Sequence, residues 1–96
     1  MKTVLANGVF DGLHYGHITH LRQARGMGDR LVVAVTRDAF VDKGPGRPVF
    51  GERQRVEMLK SLRCVSEVML VESLIDALIA KRPNMLVKGC DYSIDT

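Results

Sequence analysis

The 96-residue chain has no tryptophan, and its two tyrosines and three phenylalanines make up only 5% of it. Surfaces that grip nucleic acid by stacking bases need more aromatic area than this. There are only two cysteines, Cys64 and Cys90, in unrelated contexts and without the C-x-x-C spacing of zinc or redox sites. Two reduced thiols and no disulfide are therefore expected. No apolar run approaches the roughly 20 residues of a membrane span. Met1-Lys2-Thr3 enters a strand-like segment without the charged and apolar regions of a signal peptide. These absences lead to the expectation of a cytoplasmic protein with no membrane partner. The charge excess is small too: 14 Lys and Arg against 11 Asp and Glu give +3. That favours anionic ligands such as phosphates but is too dispersed for a nucleic-acid surface.

What is present is enough apolar residue, 46%, for one small globular domain over residues 1–96. Lys2 to Phe10 is an apolar run with β-branched valine, checked by Gly8 and Gly12, and reads as a buried first strand feeding a tight turn. From His17, Ile18, Leu21, Ala24 and Met27 recur at helical spacing until Gly26 and Gly28 close the helix. Leu31-Val32-Val33-Ala34-Val35 is short and β-branched, as in a strand buried on both faces and parallel to the first. Asp42-Lys43-Gly44-Pro45-Gly46-Arg47-Pro48 has loop composition. Glu52 to Leu62 returns to helical spacing, and Val68 to Val71 is a third strand. Ser73, with Asp76 three residues on, resembles a capping box for a helix running to Pro83, and Met85-Leu86-Val87 is a fourth strand. The order predicts an α/β, Rossmann-like open parallel sheet with helices on both faces.

In such sheets ligands bind beyond the carboxyl ends of the strands. The Gly8 to His17 turn, the Lys43 to Arg47 loop and the Lys88 to Asp91 turn all fall there. His14 and His17 are three apart across a helix start, so both imidazoles can face one side of the first turn, and Gly16 between them admits a close approach. Free N–H groups and the positive end of the helix dipole add to them, which makes a phosphate site. Metal ligation is not expected: His20 lies one turn further along, and no Cys or Asp completes a geometry. The spacing fits neither a Walker A loop nor G-x-G-x-x-G.

The run Gly8-x-Phe10-Asp11-x-x-His14-x-Gly16-His17 resembles the H-x-G-H signature of the cytidylyltransferase-like nucleotidylyltransferases. The likeness continues through Gly28-Asp29-x-Leu31-Val32-Val33-Ala34-Val35, Arg47-Pro48-Val49 and Val87-Lys88-Gly89-Cys90-Asp91-Tyr92, and spans essentially the whole chain. It implies transfer of CMP or AMP from CTP or ATP, carried with Mg²⁺, to a phosphorylated polyol or sugar, with release of pyrophosphate. The acceptor would be of the glycerol 3-phosphate or heptose 1-phosphate type, with no nucleic acid involved, and the family's habit of dimerising leaves a homodimer open.

By the same resemblance His14 and His17 hold the triphosphate and stabilise the transition state, while Lys43 and Arg63 act as catalytic cations. Gly8, Val9, Phe10, Asp11, Gly16, Arg55 and Asp91 form the nucleotide site, and no residue is assigned as a metal ligand. Val9 stands where the cytidylyltransferases carry a hydroxyl residue, and Ser66 where they carry an aspartate. The family pattern continues past the K-G-x-D turn into another strand and a Ser/Thr-rich helix start, so a C-terminally incomplete domain is expected. The alternative reading is a nucleotide-binding or assembly module of the same fold that has lost catalysis.

Overall fold

The computed structural model describes residues 1–41 and 50–88. Strands β1 (Thr3–Gly8), β2 (Arg30–Thr36), β3 (Glu67–Val71) and β4 (Met85–Lys88) form one sheet in the order β3-β2-β1-β4, with every neighbouring pair parallel. Helices α1 (Tyr15–Arg25), α2 (Glu52–Lys60) and α3 (Leu74–Lys81) make the connections, and a single 3₁₀ turn, Asp38–Phe40, follows β2. This is the α/β, Rossmann-like open parallel sheet that the element order predicts. β1 connects through α1 to β2 on one side while β4 pairs with it on the other, so strand order reverses between β1 and β4. A crevice at the carboxyl ends of these two strands is where this architecture binds ligands.

Alternation along the strands builds two apolar layers. Val4 and Ala6 of β1 and Leu31, Val33 and Val35 of β2 pack with Leu21 and Ala24 of α1 and Leu59 of α2. Leu5, Val32 and Ala34 face the other way, with Val71 and with Ala77 of α3. Helices on both faces explain why Leu31 to Val35 are all buried without alternation. Cys64 is a free, half-buried thiol beside the first layer; Cys90 lies outside the described residues. Among the described residues no helix is long and apolar enough to cross a membrane.

The boundaries differ from the sequence expectation where local chemistry overrides periodicity. β1 ends at Gly8 rather than Phe10, because Phe10 takes a left-handed backbone, φ 53°, and turns the chain. α1 begins at Tyr15, two residues before His17, and α2 ends at Lys60 instead of Leu62. Ser73 occupies the N-cap of α3, but its side chain makes no capping hydrogen bond, so the expected capping box is not formed. α3 stops at Arg82, which adopts φ 43° just before Pro83.

Two contacts hold the amino-terminal edge of the sheet. A Cβ on Gly28 would lie 2.7 Å from Val4 Cγ2 and 2.8 Å from the Lys2 carbonyl oxygen, so the α1–β2 turn packs on β1 only without a side chain there. Glu67, at the start of β3, accepts from Arg30 of β2 and pairs with Lys81 of α3. The Lys81 hydrogen bond foremost, and both cations' charge, hold its carboxyl below the usual carboxylate range, against a smaller opposing effect of burial.

Gly28→Ala forces backbone to move, since one contact is a carbonyl oxygen; we expect a loss of about 1–3 kcal/mol. A chain of this size then melts lower by about 4–8 °C per kcal/mol, and an unchanged melting temperature would contradict the packing described. Because Glu67 titrates lower folded than unfolded, its contribution to stability is complete at neutral pH and vanishes as pH falls through its folded-state pKa. The melting-temperature gap between wild type and Glu67→Gln should be widest at neutral pH and close as pH falls below the usual carboxylate range. A gap that stays constant with pH would rule out this linkage.

Candidate functional site

The strand-to-helix turn after β1 is shaped by the backbone. Phe10 and Gly12, with φ of 53° and 98°, reverse the chain, and Gly12 N–H donates to the Phe10 carbonyl at 2.9 Å. A bulky residue with positive φ is uncommon and strained. Full burial of the Phe10 ring offsets that strain. The chain then rises to His14, which caps α1.

Capping here is done by imidazoles. His14 Nδ1 accepts from Gly16 N–H at 3.0 Å, and His17 Nδ1 accepts from His14 N–H at 3.3 Å, a capping box in which two histidines replace the usual Ser/Thr and Glu/Gln. A nitrogen that accepts a hydrogen bond carries no proton, so each neutral ring holds its hydrogen on Nε2. The rings overlap, with centroids 3.9 Å apart and planes at 38°, and His17 rests on Phe10 at 5.7 Å. His17 is buried and His14 exposed. Both imidazoles thus stand at the positive end of α1, whose first turn carries no acidic residue.

Gly16 owes its identity to this arrangement. A Cβ there would meet His14 Cε1 at 2.8 Å and Nδ1 at 3.1 Å. The close approach expected at this glycine is therefore occupied by His14's own ring.

Arg55 is not a surface cation. Its side chain is fully buried, and its guanidinium donates to three chain segments. Nη1 bonds the Val9 carbonyl at 2.8 Å, Nε the Phe50 carbonyl at 3.1 Å, and Nη2 the Asp38 carboxylate at 2.6 Å. Val9 therefore contributes its carbonyl to the protein's own framework. Asp11 Oδ1 accepts from Phe50 N–H at 2.8 Å, and the Phe50 ring lies where a Gly12 side chain would project. Glu52 completes the cluster: it accepts from Asp38 N–H at 2.9 Å and pairs with Arg37 at 3.7 Å.

Arg63 is also displaced from its expected place. It is exposed in the turn after α2, three residues before Ser66, whose N–H bonds Leu31 at the start of β2. That is the amino-terminal edge of the sheet, and the six residues of β1 separate it from the histidines by roughly 17 Å at the ordinary strand rise. Within this chain it does not join them. Gly8 is the buried last residue of β1, beneath the turn. Lys43 and Asp91 lie outside the described residues. Among the described residues no three His, Cys, Asp or Glu side chains are grouped to hold a metal ion.

Sequence reasoning missed Asp38, Glu52 and Phe50, which carry no motif and matter only through Arg55 and Asp11. It also missed Asn7, 8% exposed, on β1 in register with Lys88 of β4 at the reversal of strand order. Asn7 Oδ1 is buried with no hydrogen-bond partner among the described residues.

Residues 5–96 match the family model described as cytidylyltransferase-like. The chain is 49% identical over 98 residues to the bifunctional protein HldE of Pseudomonas fluorescens, an alignment covering 98% of this chain and 20% of that protein. It is 44% identical over 97 residues to the protein of the same name from Koribacter versatilis, covering 97% and 20%. The chain thus spans about a fifth of the length of the curated relatives it matches. Among solved structures, a lipopolysaccharide core biosynthesis protein from Thermoplasma volcanium superposes with a TM-score of 0.82 at 34% identity, covering 90% of this chain and 72% of that one.

Gly16→Ala separates the imidazole geometry from stability. Better helix propensity, up to about 1 kcal/mol, offsets a cap loss of about 0.5–2 kcal/mol, so the melting temperature should move little. The displaced His14 ring should nevertheless weaken tripolyphosphate binding severalfold in calorimetry. Unchanged affinity would mean that the ring's position is irrelevant to anion binding.

Proposed function

We propose, from the premise that the chain belongs to the cytidylyltransferase-like family, that it transfers a nucleoside monophosphate from ATP or CTP to a sugar phosphate and releases pyrophosphate. Membership of the family places it in the nucleotidyltransferase class. The observation that carries the reading is the pair of tilted imidazoles, 3.9 Å apart, that cap the α1 N-terminus through Nδ1. A sugar phosphate is favoured over a polyol phosphate by the match to a protein of lipopolysaccharide core biosynthesis.

In this reading an oxygen of the acceptor's phosphate attacks the α-phosphorus in line. The new P–O bond forms as the bond from the α-phosphorus to the bridging oxygen of pyrophosphate breaks, and no covalent enzyme intermediate is required. The protein positions the triphosphate and stabilises charge that moves onto its oxygens. Donors fixed in place before the reaction do this best, and capping fixes both rings: neither can rotate without surrendering a backbone hydrogen bond. The imidazole Nε2–H groups would contact the phosphate oxygens, in the field of the positive end of the α1 dipole. Mg²⁺ would enter as part of the triphosphate substrate. Arg63, at the far edge of the sheet, has no part in this scheme.

The test is a pyrophosphate-release assay of ATP and CTP against heptose 1-phosphate and glycerol 3-phosphate. Release is expected with one nucleotide and a sugar phosphate, and His14→Ala should lower turnover by about 10²–10³, the cost of removing a strong oxyanion donor. Triphosphate binding without release by the wild type would instead support a binding module that does not turn over. Near-normal turnover in His14→Ala would remove the imidazole from the mechanism.

A further inference from the structure

Arg55 has a guanidinium aimed into protein on all sides. We infer that it is a positioning residue for the His14–His17 pair and makes no contact with the nucleotide. The connection runs through named atoms. Arg55 Nη1 fixes the Val9 carbonyl, and the next residue, Phe10, holds the positive φ that reverses the chain. The buried Phe10 ring supports His17, and His17 supports and caps with His14. On its other side the guanidinium ties this turn to the stretch after β2, through Asp38, and to the entrance of α2, through Phe50.

Three features assign this role to the arginine and not to packing alone. A strained φ at an aromatic residue persists only when its surroundings over-determine it, and the Val9 bond acts at the adjacent peptide. A planar fork with several fixed donors can serve two carbonyls and a carboxylate at once, which a lysine ammonium on a flexible stem cannot match in geometry. The charge is also neutralised locally: Asp38 is the carboxylate at 2.6 Å, and the Glu52 carboxylate accepts from Asp38's own N–H and so holds that residue in place. A fully buried cation already paired and hydrogen-bonded in this way has nothing to gain from reaching for a phosphate.

The inference rests on the proposed transferase reading, and its test keeps the two apart. Arg55→Ala would strand Asp38 and two carbonyls and threaten folding, so the variants are Arg55→Lys and Asp38→Asn, each checked for a native melting transition. Pyrophosphate release is measured over a range of triphosphate concentrations, and the imidazole resonances of His14 and His17 are recorded without ligand. A positioning role predicts kcat lower by about 10–100-fold in Arg55→Lys, the scale of an ångström-sized misplacement. KM for the triphosphate should stay within about threefold, because a lost positioning interaction acts in the transition state and a lost binding interaction does not. Asp38→Asn should show the same pattern, smaller, and both variants should shift the histidine resonances. A raised KM with unchanged kcat would assign Arg55 to the nucleotide and overturn the inference; so would unshifted histidine resonances. A wild type that releases no pyrophosphate counts against the transferase reading alone, and the resonances then decide the role of Arg55.

Discussion

The capping hydrogen bonds accepted by His14 and His17 are the constraint on which the candidate site depends. Each uses Nδ1 to satisfy a backbone N–H that the start of a helix would otherwise leave without a partner. Capping therefore fixes the tautomer, leaving the hydrogen of each neutral ring on Nε2. The same bonds join stability to function, since a change that frees an imidazole from the cap also unfixes its donor. The glycine of H-x-G-H follows from the geometry, because His14's ring lies over the place its Cβ would occupy.

Around this turn the fold supplies rigidity from below and from the side. β1 and β2 are buried on both faces and end beneath the turn at their carboxyl edge. Phe10 carries the strain of the reversal and inserts its ring into the first apolar layer, where it meets His17. Laterally, Arg55 and Asp11 fasten the turn to the segments on either side of residues 42–49, through Asp38 and Phe50. A buried guanidinium is costly unless paired and fully hydrogen-bonded. Here it donates to one carboxylate and two carbonyls. The far edge of the sheet is held by different means, the Glu67 pairs and the close packing at Gly28.

The element order, the parallel sheet and both apolar layers were legible in the sequence, because hydrophobic period and β-branched runs report directly on burial. Leu31 to Val35 is the clearest case: five buried residues in a row admit little but a strand covered on both faces. The H-x-G-H turn was legible through spacing alone as a helix start with two neighbouring imidazoles. Its details were not. Histidine is an unusual capping residue, so the helix start fell two residues late, and Phe10 looked like strand because nothing in its identity announces a left-handed backbone. Arg55 and Arg63 show the limit most clearly. Both look like surface cations on an amphipathic helix or just beyond it, and only tertiary placement buries one against Val9 and Asp38 and carries the other to the opposite edge. Asn7 carries no sequence signal; its oxygen, buried and without a hydrogen-bond partner among the described residues, emerges only once β4 is set beside β1.

The most direct test of the account is nitrogen-resolved NMR of the imidazoles of His14 and His17 at neutral pH, with and without a Mg²⁺–nucleoside triphosphate. The account predicts that both rings are Nε2–H tautomers in the free protein. On adding triphosphate, their Nε2 signals should shift strongly while the Nδ1 signals stay in place. An Nδ1–H tautomer at either residue, or Nε2 signals indifferent to triphosphate, would contradict it.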